Sequence, residues 1–167
     1  MILAKKPMSK KEEKETKQVV ASHRKARQFY EILEVFEAGL SLAGPEVKSL
    51  REGRASLDGC FGRHEAEELF LFNFYIPPYK FNTASGSLDP RRTRKLLMKR
   101  SEIHRIARTL QTKGFTLVPL EVYFRRGWAK VALALARGKK GPDRRDDLRK
   151  KAVLREAEKS FKGKYRG

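Results

Sequence analysis

The chain has 167 residues, with 39 Lys or Arg against 20 Asp or Glu, a formal net charge of +19 and a pI near 10.3. The length suits one domain plus tails, and 40% hydrophobic residues can supply a core, which excludes a wholly disordered basic chain. So large an excess of cations is more than a small acidic substrate needs and points to a polyanion: RNA, DNA or an anionic membrane surface.

Residues 1–27 carry 9 basic and 3 acidic side chains and few large apolar groups. Residues 1–22 are therefore expected to be a basic arm, mobile until it meets a polyanion. The start, Met1-Ile2-Leu3-Ala4-Lys5-Lys6, lacks the long apolar segment of a secretory signal. No apolar run approaches the roughly 18 residues of a spanning helix. A soluble, cytoplasmic protein with no membrane partner is the expectation.

A domain is expected over residues 23–137. Tyr30, Ile32 and Phe36 alternate imperfectly with Glu31, Glu34 and Glu37, which predicts a strand, with Gly39 opening a bulge or bend before Leu40 and Leu42. Gly44-Pro45 followed by Glu46-Val47-Lys48-Ser49-Leu50-Arg51-Glu52-Gly53 places Pro at a first helical position and Gly past the end of a short helix. Glu68 to Ile76 reads as an aromatic-rich strand halted by Pro77-Pro78. Asp89-Pro90 then predicts a second helix, running through Arg91 to Lys99. Ser101 caps its continuation, in which Ile103, Ile106, Ala107 and Leu110 form one apolar stripe that Gly114 ends. The clearest strand pair is Phe115–Phe124 with Lys130–Arg137, joined by Arg125-Arg126-Gly127. Val118, Leu120, Val122 and Phe124 are expected on one face, as are Val131, Leu133 and Leu135. The fold class is α+β, mainly β, with an antiparallel barrel or sandwich at its centre.

Residues 138–167 carry 12 basic and 5 acidic side chains and form a basic C-terminal tail. Val153, Ala157 and Phe161 give it a thin apolar line at four-residue spacing, too narrow to hold a helix alone. The tail is expected to become helical inside an RNA-lined groove, with a merely solubilising segment as the rival account.

Catalytic and metal-binding chemistry finds little support. His23, His64 and His104 are scattered, and the single Cys60 excludes a disulfide framework and a cysteine zinc site. Gly59, Gly62 and Gly86 match no phosphate-loop spacing, and Glu65, Glu67 and Glu68 read as solvated strand ends. No catalytic residue, metal site or cofactor is expected, and the protein reads as a non-enzyme. Arg91, Arg92, Arg94, Lys95, Lys99, Arg100, Arg105 and Arg108 instead crowd one segment that holds a single carboxylate, Glu102. Such a cluster can position a nucleic-acid backbone, and exposed Phe or Tyr beside it can stack unpaired bases. For any single Arg, a solvated helix face accounts for the pattern equally well.

Several stretches, in order, resemble one family: His23-Arg24-Lys25-Ala26-Arg27, Phe36-Glu37-Ala38-Gly39, Glu46 to Gly53, Asp89-Pro90-Arg91-Arg92-Thr93-Arg94-Lys95-Leu96-Leu97, Ala129-Lys130-Val131 and Ala136-Arg137-Gly138-Lys139-Lys140. The chain is similar to SmpB, the SsrA-binding proteins of bacterial trans-translation, from about residue 22 to 147. The resemblance implies a barrel of oligonucleotide-binding-fold character with about six strands and three helices. It implies binding to the tRNA-like domain of transfer-messenger RNA and delivery of that RNA to stalled ribosomes, at the decoding centre, mRNA channel and small-subunit ribosomal RNA. Through the RNA it extends to elongation factor Tu and alanyl-tRNA synthetase. The matching positions implied as RNA-binding are Arg24, Lys25, Arg27, Glu37, Lys48, Arg51, Arg91, Arg92, Arg94, Lys95, Leu96 and Lys130. Lys139, Lys140, Asp143, Arg144 and Arg145 are implied as the tail segment that acts at the ribosome. His23 stands where the family commonly has Asn, and Pro142 where it often has an aromatic or His. A small basic ribosomal protein of similar fold is the alternative.

Overall fold

The computed structural model describes residues 17–81, 88–139, 149–153 and 155. Its strands in chain order are β1 (Lys17–Ser22), β2 (Tyr30–Leu40), β3 (Phe61–Glu65), β4 (Glu68–Phe72), β5 (Arg94–Leu97), β6 (Phe115–Arg125) and β7 (Trp128–Gly138). Three helices lie between them: α1 (Ala26–Phe29), α2 (Gly44–Arg51) and α3 (Arg100–Leu110). All pairings are antiparallel, in the order β1-β6-β3-β4-β5-β2-β7, and β7 pairs again with β6. Six strands thus close into a ring, and β1 extends it along β6. One residue pair, Gly62 with Leu117, joins β3 to β6.

Alternation along the strands sends one set of side chains inward. Phe36, Leu69, Leu71, Leu96, Leu117, Val122 and Leu133 meet there, and Ile103 and Ile106 of α3 cover the same core. A smaller cluster outside the sheet packs Ala26 of α1 against Val118, Ala134 and Ala136.

The hairpin of β6 and β7 turns through Arg126 and Gly127, at φ 51° and 79°. Two successive left-handed residues match the right-handed twist of the flanking strands. The expected single face of β6 does not survive. Pro119 pairs with Leu133 and Glu121 with Ala132, so Leu120 is an extra residue and the facing inverts there. Val118 and Leu120 join the outer cluster, whereas Val122 and Phe124 join the inner core.

Other expectations are corrected in the same way. The irregularity of β2 lies between Ile32 and Glu34, not at Gly39, which is paired on both sides. β4 ends at Phe72 because Asn73 turns the chain at φ 58°; the two prolines lie farther on. Residues 89–99 are not helical. Asp89 caps a tight turn, accepting from the Arg91 backbone N–H at 2.9 Å. Arg94–Leu97 then form a strand between β4 and β2. Arg, Lys and Leu favour helix locally, but two open strand edges outweigh that preference. α3 starts after Lys99, whose N–H donates to the Glu102 carboxylate at 3.3 Å. The N-terminal arm also yields residues 17–22 to the sheet as β1.

Candidate RNA interface

The outward faces of β6, β7 and β2 bring four polar side chains together. Glu37 of β2 accepts the Tyr123 hydroxyl proton at 2.5 Å and an Arg125 guanidinium N–H at 3.3 Å. Lys130 Nζ stands 3.9 Å from the other carboxylate oxygen. Burial pushes the Glu37 carboxyl up, but the Tyr123 hydrogen bond and the charges of Arg125 and Lys130 outweigh it and hold the group below its ordinary value. Glu37 is therefore a fixed anion that holds Arg125 by a hydrogen bond and attracts Lys130 without bonding it, and it is half-exposed. Lys17 of β1 lies over the Tyr123 ring at 4.2 Å and pairs with Glu121, adding a further cation to this face.

Gly39 continues the same surface, paired with Lys130 on one side and Leu97 on the other. A strand turns alternate residues to opposite faces, so Leu96 and Leu97 cannot share a role. Leu96 is 1% exposed and belongs to the core, which corrects its expected place at an interface; Leu97 is 53% exposed. The outward leucine of the cluster is Leu97. Reading residues 94–97 as a strand would have found it.

A second set surrounds α2. Lys48 is exposed over the Tyr79 ring at 5.6 Å, Arg51 over the Phe124 ring at 5.6 Å, and Arg91 over the Tyr75 ring at 5.3 Å. These three cations are presented outward on aromatic supports. Arg92 and Arg94 are placed otherwise. Both reach the buried Glu46, Arg92 through Nε at 2.9 Å and Arg94 through Nε at 3.0 Å. Arg94 has no exposed surface, so it is an interior residue and not a phosphate contact. Burial raises the Glu46 carboxyl, yet the Arg92 and Ala43 hydrogen bonds and the Arg94 charge bring it below its ordinary value.

The expected crowd of cations is dispersed. Lys95 pairs with Glu68 on β4, and Arg105 of α3 grips Glu34 of β2 at 2.6 and 2.5 Å. Carboxylates far along the chain, rather than Glu102 alone, neutralise part of the set. Arg24, Lys25 and Arg27 are exposed at and around α1, with no carboxylate partner among the described residues. The Lys139 backbone N–H donates to the Phe29 carbonyl at 2.9 Å, so the tail departs beside α1. Lys140, Asp143, Arg144 and Arg145 lie outside the described residues. Residues 149–153 are helical and exposed.

Among the described residues no group of His, Cys, Asp and Glu is arranged to hold a metal ion. Burial pushes the Cys60 thiol up to about 12, against the opposing charge of Arg94, so the thiolate needed for nucleophilic attack is scarce at neutral pH. Among the described residues no helix is long and apolar enough to cross a membrane.

The family model "SmpB protein" matches residues 20–163. The SsrA-binding protein of Elusimicrobium minutum is 45% identical over 148 residues, covering 89% of this chain and 94% of that one. The SsrA-binding protein of Salinispora arenicola is 51% identical over 140 residues, covering 84% and 87%. A chain from a solved structure, "tmRNA-SmpB: a journey to the center of the bacterial ribosome", aligns with a TM-score of 0.60 and 52% identity, over 72% of this chain and 84% of that one. Match, coverage and the antiparallel ring agree, and the chain belongs to the SmpB family.

Proposed function

We propose that this chain is a non-enzymatic RNA-binding adaptor of the bacterial cytoplasm. It binds the tRNA-like domain of transfer-messenger RNA and delivers that RNA to stalled ribosomes for trans-translation. The observation that carries the reading is the outward Glu37–Tyr123–Arg125–Lys130 cluster on a chain of net charge +19. Membership of a family whose relatives are named SsrA-binding proteins supports the choice of RNA. Arg24, Lys25, Arg27, Lys48, Arg51 and Arg91 supply phosphate contacts, while Glu37 and Leu97 shape the surface between them. The tail, with Lys139, Lys140, Asp143, Arg144 and Arg145, acts at the ribosome and lies in the vacant mRNA channel. The exposed helical residues 149–153, rich in Lys and Arg, support a basic helix that needs an outside partner.

Pull-down of the tagged full chain followed by sequencing of bound RNA tests the assignment. One tRNA-like RNA should be enriched over ribosomal RNA. Stoichiometric presence on every ribosome would instead make the chain a ribosomal protein. Deleting residues 138–167 is expected to leave binding to isolated RNA nearly intact while abolishing tagging on stalled ribosomes. Loss of RNA binding in that variant would overturn the division between domain and tail.

A further inference from the structure

Trp128 is the one tryptophan of the chain, and it is 73% exposed. It opens β7 directly after the two-residue turn and sits opposite Arg125 across the hairpin. Alternation puts it on the same outward face as Lys130, two residues on and about 7 Å away at strand spacing. Among the described residues no ring or cation packs against it. Leaving so large a ring in water forfeits the burial that a tryptophan ordinarily gains in a fold.

Its surroundings say what the ring is for. Arg126 and Gly127 hold a tight turn, and β6 and β7 are paired along their length, so the indole is carried on a rigid element. Its neighbours on the sheet are cations, Arg125 and Lys130, and a lysine is a residue that the centre of a protein–protein contact is depleted of. Lys130 Nζ is 3.9 Å from Glu37, longer than a hydrogen bond, and can swing to an anion without breaking one. A flat aromatic face beside a movable cation suits a flat base with a phosphate attached.

We propose that Trp128 is a stacking platform for an unpaired nucleobase of the bound RNA, with Lys130 taking the phosphate of that nucleotide. The inference rests on the RNA-binding reading above and adds to it the kind of nucleotide engaged. Stacking tolerates any base, so the contact selects for an unpaired position rather than for a sequence.

The test uses the full chain and a transcript of the tRNA-like domain of transfer-messenger RNA. Because the tryptophan is single, its intrinsic fluorescence reports on this site alone, and titration with the RNA should quench it saturably. Trp128→Ala should bind roughly 5- to 150-fold more weakly, the range that removing one base–aromatic stack gives. Trp128→Phe, which keeps a ring, should recover most of that loss, and Trp128→Leu, which keeps apolar area only, should behave like Ala. Unchanged affinity in Trp128→Ala, or Leu rescuing as well as Phe, would overturn the stacking role. So would fluorescence that responds to ribosomes and not to the free RNA. Wild-type protein that binds the RNA with an unresponsive tryptophan removes the stacking role alone. Wild-type protein that fails to bind the RNA at all removes the proposed function with it.

Discussion

Arg94 directs its Nε and one terminal NH₂ at the same carboxylate oxygen of Glu46, at 3.0 and 2.8 Å. Its remaining donors reach the carbonyls of Phe74, Arg92 and Pro90, so all five N–H groups of a side chain with no exposed surface are satisfied. The second oxygen of Glu46 takes Arg92 at 2.5 Å and the Ala43 N–H at 2.9 Å. One carboxylate thus ties the start of α2 to the turn before β5 and to the segment after β4.

Removing that carboxylate strands a buried guanidinium. Glu46→Ala is expected to cost about 3–5 kcal/mol, the range for breaking a buried ion pair from one side. Urea denaturation of the variant measures it, and a loss below about 1 kcal/mol would show that the network contributes little.

Acid should act through the same groups. Glu46 and Glu37 both titrate below their ordinary value of 4.5 when folded. A depressed folded pKa gives stability that is present above the unfolded pKa and is lost as pH falls through the folded one. Stability should therefore hold at neutral pH and decline below about pH 4.5, and Glu46→Gln should flatten the decline. Denaturation midpoints measured across that window check the sign; a rise on acidification would contradict it.

Leu96 and Leu97 offer a test with adjacent residues. Leu96→Ala empties core space and should cost about 2–5 kcal/mol of stability. Leu97→Ala, on the exposed face, should leave the thermal midpoint within a degree or two of wild type, since surface changes stay within about 0.5 kcal/mol. Its effect should instead be on RNA affinity. Paired melting and binding curves decide, and equal stability losses for the two would place both in the core.

The turn from β3 to β4 is strained. Ala66 and Glu67 hold φ 47° and 62° without a glycine or asparagine between them. Left-handed backbone costs an ordinary residue about 1–2 kcal/mol, so Glu67→Gly should stabilise by about 1 kcal/mol. Little opposes the gain, because Glu67 lies 3.8 Å from His104 with both side chains exposed. A thermal midpoint that falls in this variant would count against the strain.

The elements most legible in the sequence are those whose partners are close along the chain. The β6–β7 hairpin and the stripe of Ile103, Ile106 and Leu110 follow from local periodicity. Residues 94–97 do not, because their strand identity comes from β4 and β2 on either side. The extra residue at Leu120 hides for another reason: Val118, Leu120, Val122 and Phe124 alternate faultlessly in letters, and only pairing with β7 reveals the inversion. Glu37 and Lys130 came from likeness to a family, while Tyr123 and Arg125 join them only through cross-strand register. Nothing local in the sequence marks Glu46 out from any other glutamate in a first helical turn, since its arginines lie 46 and 48 residues away.

The single rung between Gly62 and Leu117 makes the barrel a ribbon with a clasp. A methyl group on Gly62 would meet the Leu117 Cβ at 2.8 Å, so the two backbones close only because one side chain is absent. β2, β7 and β6, which carry the Glu37 cluster, are joined by long runs of paired residues. β3 and β4 can therefore breathe at the clasp while the half that carries the Glu37 cluster keeps its register. Amide exchange should follow that division, with the β3 edge exchanging well before β7. The half that breathes is also the half that bears the strained turn.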